Sequence, residues 1–318
     1  MATRHHGTIA ITGSRSVLGR LLMDRLATTD ASLAVIDIER PPQKCRYYPL
    51  NLVEPNTDLE LERIFREIRC KTVIHLAYLS RPVFDVAYSH ELQSIGTLNM
   101  LHAARGAGVK HILTVSPSGV YGARGKNPNF LTEDHQVKPN KDFEYIRDRA
   151  EADQDVVAFM KKHPDIAVTL LRMAPMVGPL SDNLTTRMLA APAVVTLLGY
   201  DPLLQFLHED DAVDALLRAL EYRRSGIFNI APDGVVPVTT ALYRAGVVGI
   251  PVAHPVAYST FHTLWVTRLN DIPPQQLDFL RYQCSLDNSR AKGELTFRPR
   301  FTSQGALLEH LGKKRRAA

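Results

Sequence analysis

Short apolar segments alternate with amphipathic ones through the first two thirds of the chain. The apolar segments are five or six residues long and rich in valine, isoleucine and leucine: TIAIT, LAVID, TVIHLA, HILTVS and AVTLLR. Uninterrupted apolar runs of this length are typical of parallel strands that are covered on both faces. The segments between them have helical periodicity: Leu18–Thr28, Asp58–Arg69, Ser89–Ala107 and Tyr145–Lys162. The alternation predicts an α/β fold with a doubly wound parallel sheet and right-handed crossovers.

The pattern of apolar segments changes after Pro175. The next stretch contains several prolines. A helical segment (Asp210–Tyr222) and an apolar segment (Gly226–Ala231) follow it. The remaining residues again contain many prolines, which favour loops over long helices or strands. This change predicts two units. Residues 1–175 form a sheet domain to which residues 205–232 return, and residues 176–204 and 233–318 form a smaller, irregular lobe at the sheet edge where a substrate would lie.

The first apolar segment leads into a glycine-containing turn and a helix, in the sequence TIAITGSRSVLGRLL. Gly13 suits a tight turn, Gly19 suits close packing of the helix on the strand, and Ser16 occupies the middle position of the usual glycine triplet. The N-terminus of such a helix presents free N–H groups to a pyrophosphate. The predicted dinucleotide-binding turn consists of Gly13, Ser14, Arg15, Ser16, Val17, Leu18 and Gly19.

Asp37 closes the second apolar segment, 24 residues after Gly13. A carboxylate at this position accepts hydrogen bonds from both ribose hydroxyls of NAD and would repel the 2′-phosphate of NADP. The sequence therefore predicts NAD as the cofactor. NADP stays an alternative, because Arg15 and Arg40 are placed to meet a 2′-phosphate.

Composition and charge are those of an ordinary globular protein. Hydrophobic residues make up 45% of the chain and charged residues 22%, and no apolar run approaches the ~20 residues that span a bilayer. The opening residues MATRHHG leave no room for a signal peptide and the three cysteines are scattered, which together predict a cytoplasmic protein. The twelve histidines lack metal-ligand spacing, so no metal is expected. The net charge of +5 includes a basic tail, predicted to be solvated rather than to bind nucleic acid: Lys313, Lys314, Arg315 and Arg316.

Nine features, in the same order along the chain, resemble those of one enzyme family. They are TGSRSVLG (12–19), Asp37, HLAY (75–78), GTLNML (96–101), VSPSGVYG (115–122), TEDHQVKP (132–139), LLRMAPMVGP (170–179), FLHEDDAVDA (206–215) and GIFNIAPDG (226–234). The chain resembles the extended short-chain dehydrogenases/reductases of the NAD-dependent epimerase/dehydratase family, and within it a UDP-glucose 4-epimerase-like subgroup. The resemblance implies a Rossmann fold, a small-molecule substrate such as a nucleotide sugar, and a homodimer.

The resemblance also implies a catalytic tyrosine followed four residues later by a lysine, and a serine or threonine hydroxyl that holds the reacting oxygen. Tyr145 matches the tyrosine, but Arg149 stands at the lysine position and Pro117 at the hydroxyl position. Helical spacing of four places Tyr145 and Arg149 on one face, where the guanidinium charge is expected to lower the pKa of the tyrosine. Ser116 and Ser118 flank Pro117 and are the alternative hydroxyls. The predicted catalytic site is therefore degenerate.

Cofactor and substrate contacts follow from the same resemblance. Beyond the turn and Asp37, it implies cofactor binding by Asn51, Leu52, Leu76, Ala77, Tyr78, Ser116, Tyr145, Arg149 and Met173. It implies substrate binding by Arg81, Asn183 and Leu184. Two contacts of nucleotide-sugar enzymes are missing, because Leu204 stands where an arginine is common and Pro175 where an asparagine is expected. Candidate partners for a diphosphate are Arg187, Arg268 and Arg281.

Three functional hypotheses stay open. The first is an NAD-dependent nucleotide-sugar epimerase or dehydratase with a degenerate site, and the second is a non-catalytic dinucleotide-binding regulatory or scaffold protein. The third is a dehydrogenase of a lipid- or sterol-like secondary alcohol. A basic pocket in the small lobe would favour the first hypothesis, a filled pocket the second and an apolar pocket the third. The helices Leu92–Ala107 and Tyr145–Lys162 are expected to build a two-fold dimer interface.

Overall fold

A seven-stranded parallel sheet forms the centre of the computed structural model, which describes residues 7–317 and the side chains of residues 7–312. The strands of the chain are β1 (Thr8–Thr12), β2 (Ser32–Asp37), β3 (Arg46–Pro49), β4 (Cys70–His75), β5 (His111–Pro117), β6 (Ala167–Met173), β7 (Met176–Val177), β8 (Ala193–Leu197), β9 (Leu203–Leu204), β10 (Leu207–His208), β11 (Gly226–Ile230), β12 (Val236–Pro237) and β13 (Val248–Val252). The sheet order is β11-β6-β5-β4-β1-β2-β3, and every neighbouring pair is parallel. The predicted doubly wound α/β fold is confirmed.

Helices follow most of the strands of this sheet. They are α1 (Val17–Leu26), α2 (Thr57–Glu67), α3 (Val86–His90), α4 (Gly96–Gly106), α5 (Glu144–Lys162), α6 (Leu184–Met188), α7 (Glu209–Tyr222), α8 (Val238–Ala245), α9 (His254–Val266), α10 (Ser289–Glu294) and α11 (Ser303–Ala317). Short 3₁₀ turns cover Ser118–Tyr121 and Pro274–Leu280. The predicted helix Ser89–Ala107 is divided, because a π-helical turn (Glu91–Ile95) lies between α3 and α4.

Strand residues pack alternately against helices on the two faces of the sheet. Ile9 and Ile11 of β1 belong to one apolar core together with residues of α1 and α7. Ala10, between them, belongs to a second core with residues of α2, α4 and α5. Because both faces are covered, the strands are apolar without interruption, which is the pattern visible in the sequence.

The sequence did not predict β3, which lies at one edge of the sheet and pairs with β2. Its four residues, RYYP, are exposed or half-buried. An edge strand with solvent on one side needs no apolar run, so the sequence carries no signal that separates it from a loop.

Three two-stranded sheets lie outside the central sheet: β7 with β10, β9 with β12 and β8 with β13. The β8–β13 pair packs with α8, α9 and the turn Pro274–Leu280 around two small apolar clusters. The division into a sheet domain and a smaller lobe stays a prediction.

In the part of the chain that the structure describes, no helix is long and apolar enough to cross a membrane. Cys45, Cys70 and Cys284 are free thiols, and burial raises the pKa of Cys70 to about 11. The basic tail discussed above lies beyond the described side chains, and residues 1–6 of the opening segment lie outside the described residues.

Candidate active site

The turn after β1 is built so that only glycine fits at its two ends. Gly13 has a φ of +72°, and a Cβ there would lie 2.3 Å from the backbone of Leu76 and Ala77. A Cβ at Gly19 would lie 2.3 Å from the carbonyl oxygen of Gly13. Ser16 caps α1, because its Oγ accepts from Gly19 N (3.0 Å) and donates to Gly13 O (2.8 Å). The serine at the middle position therefore organises the helix N-terminus at which a pyrophosphate can bind.

Asp37 lies beside this turn. Its Oδ2 accepts from Ser14 Oγ (2.9 Å) and from Arg15 N (3.3 Å), and its Oδ1 accepts from Ile38 N (2.8 Å). The two basic residues that could meet a 2′-phosphate already have partners. Arg15 forms an ion pair with Glu39, and the Arg40 guanidinium lies 5.3 Å from the ring centroid of Tyr47.

A cleft of about 590 Å³ opens over the carboxyl ends of the central strands. It is lined by thirteen of the residues that the sequence nominated: Arg15, Ser16, Val17, Leu18, Leu76, Tyr78, Ser116, Ser118, Tyr145, Arg149, Met173, Asn183 and Leu184. The nominated cofactor and substrate residues that do not line it are Gly13, Ser14, Gly19, Asp37, Asn51, Leu52, Ala77 and Arg81, and the candidate diphosphate partners Arg187, Arg268 and Arg281 do not line it either. Gly13, Ser14 and Gly19 form the turn itself, and Leu52 is buried against Gly96.

Tyr145 is half-buried in the wall of this cleft, and its hydroxyl donates to Leu79 O (3.0 Å). Burial raises the pKa of Tyr145, and the charge of Arg149 opposes that rise without cancelling it. The expectation of a lowered tyrosine pKa is therefore wrong, because removal from water destabilises the tyrosinate more than the guanidinium stabilises it.

Arg149 is buried and held on two sides. Its Nη2 donates to Val115 O (2.6 Å), and its Cζ lies 3.4 Å from the ring centroid of Tyr78. Its Nη1 has no hydrogen-bond partner among the described residues. The same is true of Ser116 Oγ, which also lies in the cleft wall. Buried polar groups are rarely left unpaired, so these two atoms mark a place where ligand oxygens can bind.

Pro117 is extended, with φ −76° and ψ 148°, and separates the two candidate hydroxyls. Ser116 is the penultimate residue of β5, whereas Ser118 begins the 3₁₀ turn and lines a second cavity as well as the cleft. Ser116 is therefore the better candidate to hold a reacting oxygen near Tyr145, and Ser118 lies at the junction of the two spaces.

The second cavity measures about 410 Å³ and adjoins the cleft. The two spaces share six lining residues: Ser118, Pro175, Leu184, Thr185, Gln276 and Phe279. Its other walls are mainly apolar and come from β8, β9, α9 and the turn Pro274–Leu280. Among the described residues that line it, Arg187 and Asp271 are the charged ones.

Arg187 is neutralised by two carboxylates at the rim of this cavity. Its Nε donates to Asp182 Oδ1 (2.9 Å) and its Nη1 to Asp271 Oδ2 (2.6 Å). Asp271 also lies 3.6 Å from Arg81 Nη1. The sequence nominated Arg187 and Arg81 but neither aspartate. Nothing in a sequence shows that Asp271 meets Arg187, because the two residues are 84 positions apart.

The remaining residues nominated for substrate binding are engaged within the protein. Asn183 caps α6 through its Oδ1, and its amide donates to Met176 O (2.7 Å). The Arg268 guanidinium lies 5.6 Å from the ring centroid of Phe84, and the Arg281 guanidinium lies 5.0 Å and 4.9 Å from the ring centroids of Tyr200 and Tyr282. Arg268 and Arg281 line neither cavity, so they do not join Arg187 in a basic diphosphate site there.

One group of residues has the composition of a metal site outside the cleft. His90, Asp148 and Glu151 place their ligand atoms within 4.8 Å of one another. His90 Nδ1 lies 3.5 Å from Asp148 and 3.7 Å from Glu151, distances typical of ion pairs. None of the three lines either cavity.

Comparisons with known proteins agree with this geometry. The sequence profile described as the NAD dependent epimerase/dehydratase family matches residues 9–231. An uncharacterized protein of Mycobacterium tuberculosis is 31% identical over 308 residues, which cover 94% of this chain and 82% of that protein. A UDP-glucose 4-epimerase of Mycolicibacterium smegmatis is 25% identical over 330 residues, which cover 95% of this chain and 96% of that protein. The crystal structure of the Thermus thermophilus UDP-glucose 4-epimerase in complex with NAD is 20% identical, covers 98% of this chain and 100% of that chain, and has a TM-score of 0.74.

Proposed function

This chain belongs to the NAD-dependent epimerase/dehydratase family of extended short-chain dehydrogenases/reductases, and we propose that it is an NAD-dependent oxidoreductase acting on a secondary alcohol or ketone with an apolar body. The observation that carries the choice of substrate is the apolar cavity joined to the cleft. Cofactor binding is supported separately, by the turn around Gly13 and by the position of Asp37.

The residues of the cleft fit a dinucleotide. A Cβ at Gly13 or Gly19 would clash with the protein's own backbone, so the two glycines allow the tight turn that sets the N-terminus of α1 at the cleft. The N-terminus of α1 would hold the pyrophosphate, and Asp37 would accept from ribose hydroxyls. Because Asp37 has the charge that repels a 2′-phosphate, we propose NAD rather than NADP.

NAD supplies a hydride acceptor when it is bound. Tyr145, as tyrosinate, would take the proton of the substrate hydroxyl on its Oη, which requires release of its hydrogen bond to Leu79 O. Ser116 Oγ, unpartnered in the cleft, would hold the reacting oxygen. Arg149 would stabilise the tyrosinate by its charge, since it is the cation that acts on the pKa of Tyr145.

An apolar substrate is favoured by what lies beside these groups. A nucleotide sugar would bring a diphosphate, which needs charged or hydrogen-bonding partners. The arginine that lines the cavity, Arg187, is already paired with Asp182 and Asp271. An apolar substrate body gains free energy from burial in the same space, at about 25 cal/mol for each Å² removed from water.

A nucleotide-sugar substrate is the second candidate. It is supported by the M. smegmatis relative, whose name is UDP-glucose 4-epimerase and whose match covers 95% of this chain. For a diphosphate to bind, Arg187 would have to exchange its carboxylate partners for phosphate oxygens. This exchange is chemically reasonable because the side chains of Asp182 and Asp271 are 59% and 50% exposed, respectively.

We also propose that the protein is a cytoplasmic homodimer. Free thiols at all three cysteines support a reducing compartment. Half-buried apolar residues on α4 and α5, namely Leu98, Val157 and Met160, are available for a two-fold contact. Gly96, Met100, Ala103 and Val156 of the same helices are buried within the subunit and are not available for this contact. The smaller lobe, residues 176–204 and 233–318, is proposed to hold the substrate.

The test is a ligand screen followed by turnover. Thermal shift with NAD and NADP comes first, because a ligand stabilises the folded state by mass action. Lipid- and sterol-like secondary alcohols are then added with NAD, and NADH formation is followed by absorbance. A panel of UDP-sugars is tested with NAD in parallel, and the epimerised or dehydrated sugar is measured by chromatography, because these reactions return the hydride and leave no net NADH. Tyr145→Phe is the control. Turnover of an apolar alcohol that Tyr145→Phe abolishes supports the proposal. Turnover of UDP-sugars alone, or NAD binding without any turnover, contradicts it in favour of the second candidate or of a non-catalytic protein.

A further inference from the structure

Tyr78 and Arg149 form a stacked pair inside the cleft. The Cζ of Arg149 lies 3.4 Å from the centroid of the Tyr78 ring, close contact for a guanidinium over an aromatic face. The ring itself is fixed at both ends. Its hydroxyl shares a hydrogen bond with Thr114 Oγ1 (2.7 Å), and its edge meets the His75 ring with centroids 4.7 Å apart.

The stack leaves one terminal nitrogen of the guanidinium for a ligand. Nη2 is engaged with Val115 O at 2.6 Å, and Nη1 is buried in the cleft wall without a partner among the described residues. We propose that Tyr78 is a positioning residue: its ring and the Val115 carbonyl fix the guanidinium plane so that Nη1 is presented to the ligand and the charge stays beside Tyr145. This inference rests on the proposed NAD-dependent chemistry.

The pair makes arginine the required residue at position 149. A guanidinium is planar and stacks on a ring while donating from several nitrogens, whereas an ammonium is a compact point charge on a flexible stem. A lysine at 149 would lose most of the stacked area on Tyr78 and could not donate to both Val115 O and a ligand in the same geometry. Restoring the lysine that the family resemblance implies is therefore expected to impair this protein.

Few charged groups act on Tyr145, so the pKa of Tyr145 reports the position of the Arg149 guanidinium. Arg149 is the charged group that acts on the pKa of Tyr145. On the far side of the stack, burial and the charge of Arg149 lower the pKa of His75 to about 3, so His75 stays neutral at ordinary pH. Tyr78 is the other ionisable group in contact with the guanidinium. A guanidinium that moves away would leave burial unopposed at Tyr145.

The experiment compares Tyr78→Phe, Tyr78→Leu and Arg149→Lys with the wild type. Tyr78→Phe keeps the ring and is expected to keep NAD affinity within about threefold, because cation–π attraction needs only the aromatic face. Tyr78→Leu removes the ring and is expected to weaken NAD binding about tenfold and kcat/KM by about 10–100-fold, since a charged donor is then misplaced. The pH at which kcat/KM rises with tyrosinate formation is expected to move upward in Tyr78→Leu and not in Tyr78→Phe.

A cofactor-free measurement separates this inference from the proposed function. Tyrosinate absorbance is titrated for each protein and for the same protein carrying Tyr145→Phe, and the difference isolates Tyr145. The pKa of Tyr145 is expected to be higher in Tyr78→Leu than in the wild type and unchanged in Tyr78→Phe. Equal Tyr145 titration in wild type and Tyr78→Leu, or an Arg149→Lys protein that equals the wild type in NAD affinity and activity, overturns the positioning role. If the pKa of Tyr145 is higher in Tyr78→Leu than in the wild type but the wild type does not bind NAD, the positioning role is supported and the proposed function is contradicted.

Discussion

Arg187 Nη1 and Asp271 Oδ2 lie 2.6 Å apart at the rim of the apolar cavity. The two residues are 84 positions apart in the chain, and Asp182 binds the same guanidinium from its other side. This arrangement places a cation beside the substrate space and satisfies it before any ligand arrives. Because the charge of Arg187 is already neutralised, this arrangement favours an apolar substrate over one that carries a diphosphate.

Release of Arg187 is expected to increase affinity for UDP. In the double variant Asp182→Asn and Asp271→Asn, the guanidinium loses both carboxylates and can donate to phosphate oxygens. We expect UDP binding by calorimetry to strengthen by about three- to tenfold, a modest gain because exposed ion pairs contribute little. Asp134→Asn, which removes a carboxylate from Arg290 outside the cavity, is the control. Unchanged UDP affinity in the double variant would show that Arg187 does not face the ligand.

Asp37→Asn is expected to change the choice of cofactor. The substitution removes the negative charge beside a 2′-phosphate and weakens acceptance from ribose hydroxyls. The ratio of NADP to NAD affinity, measured by calorimetry, should rise by at least about tenfold, the free-energy scale of one charge-assisted hydrogen bond. Asp30→Asn, on an exposed loop, should leave the ratio unchanged. Tighter binding of NADP than NAD by the wild type would disprove the role given to Asp37.

Alanine substitutions at two glycines with nearly the same φ test whether the backbone of Leu76 and Ala77 leaves no room for a side chain at Gly13. Gly13 has φ +72° and backbone atoms 2.3 Å from an added Cβ, whereas Gly108 has φ +71° and nothing within 4 Å of one. Gly108→Ala should therefore lower the free energy of unfolding by about 1–2 kcal/mol, the cost of a left-handed backbone alone. Gly13→Ala should lower it by more and should abolish NAD binding. Denaturant unfolding and calorimetry measure both, and equal effects of the two substitutions would contradict the clash.

His75 is expected to make stability depend on pH in the acid range. The ring is fully buried, with hydrogen bonds to Thr12 Oγ1 (2.7 Å) and Thr97 Oγ1 (3.2 Å), and its pKa is lowered to about 3 by burial and by Arg149. An unfolded histidine has a pKa of about 6.5. Between these values the unfolded state binds more protons, so stability rises with pH through this window and falls as pH drops below the unfolded pKa.

The size of this effect is limited by one proton, or about 1.4 kcal/mol per pH unit. His75→Gln should reduce the slope of unfolding free energy against pH between about pH 4 and 6, relative to the wild type. Buried carboxyls whose pKa is raised by burial, such as Glu133 and Glu209, contribute a slope of opposite sign in both proteins and cancel in the comparison. The exposed His262→Gln is the control, and equal slopes for His75→Gln and wild type would show that His75 does not titrate with unfolding.

The proposed dimer can be tested on α4. Leu98 is half-buried and does not belong to the apolar cores, so Leu98→Arg should disturb an interface more than the subunit itself. Light scattering should give about twice the chain mass of 35.5 kDa for the wild type and a lower mass for the variant. Leu59→Arg, on the exposed side of α2, should stay dimeric. A wild-type monomer at micromolar concentration would contradict the proposal.

Local patterns in the sequence were enough to predict the central parallel sheet and the glycine-containing turn after β1. The apolar strands, the turn from Gly13 to Gly19 and the acid at Asp37 are short-range features, because strand burial, turn geometry and helix capping depend on neighbouring residues. The edge strand β3 escaped prediction because solvent on one side removes the apolar signal.

The character of the site depends on contacts between distant parts of the chain. Tyr145 donates to Leu79, 66 residues away, and Arg149 donates to Val115, 34 residues away. The balance between burial and charge that sets the pKa of Tyr145 is a property of the folded surroundings, so spacing on a helix could predict the pairing but not its outcome. The pairing of Arg187 with Asp271 likewise arises only when the chain folds. The sequence by itself determined the α/β fold and the cofactor turn, and the tertiary structure decided which charges are free, because burial and long-range pairing have no local signature.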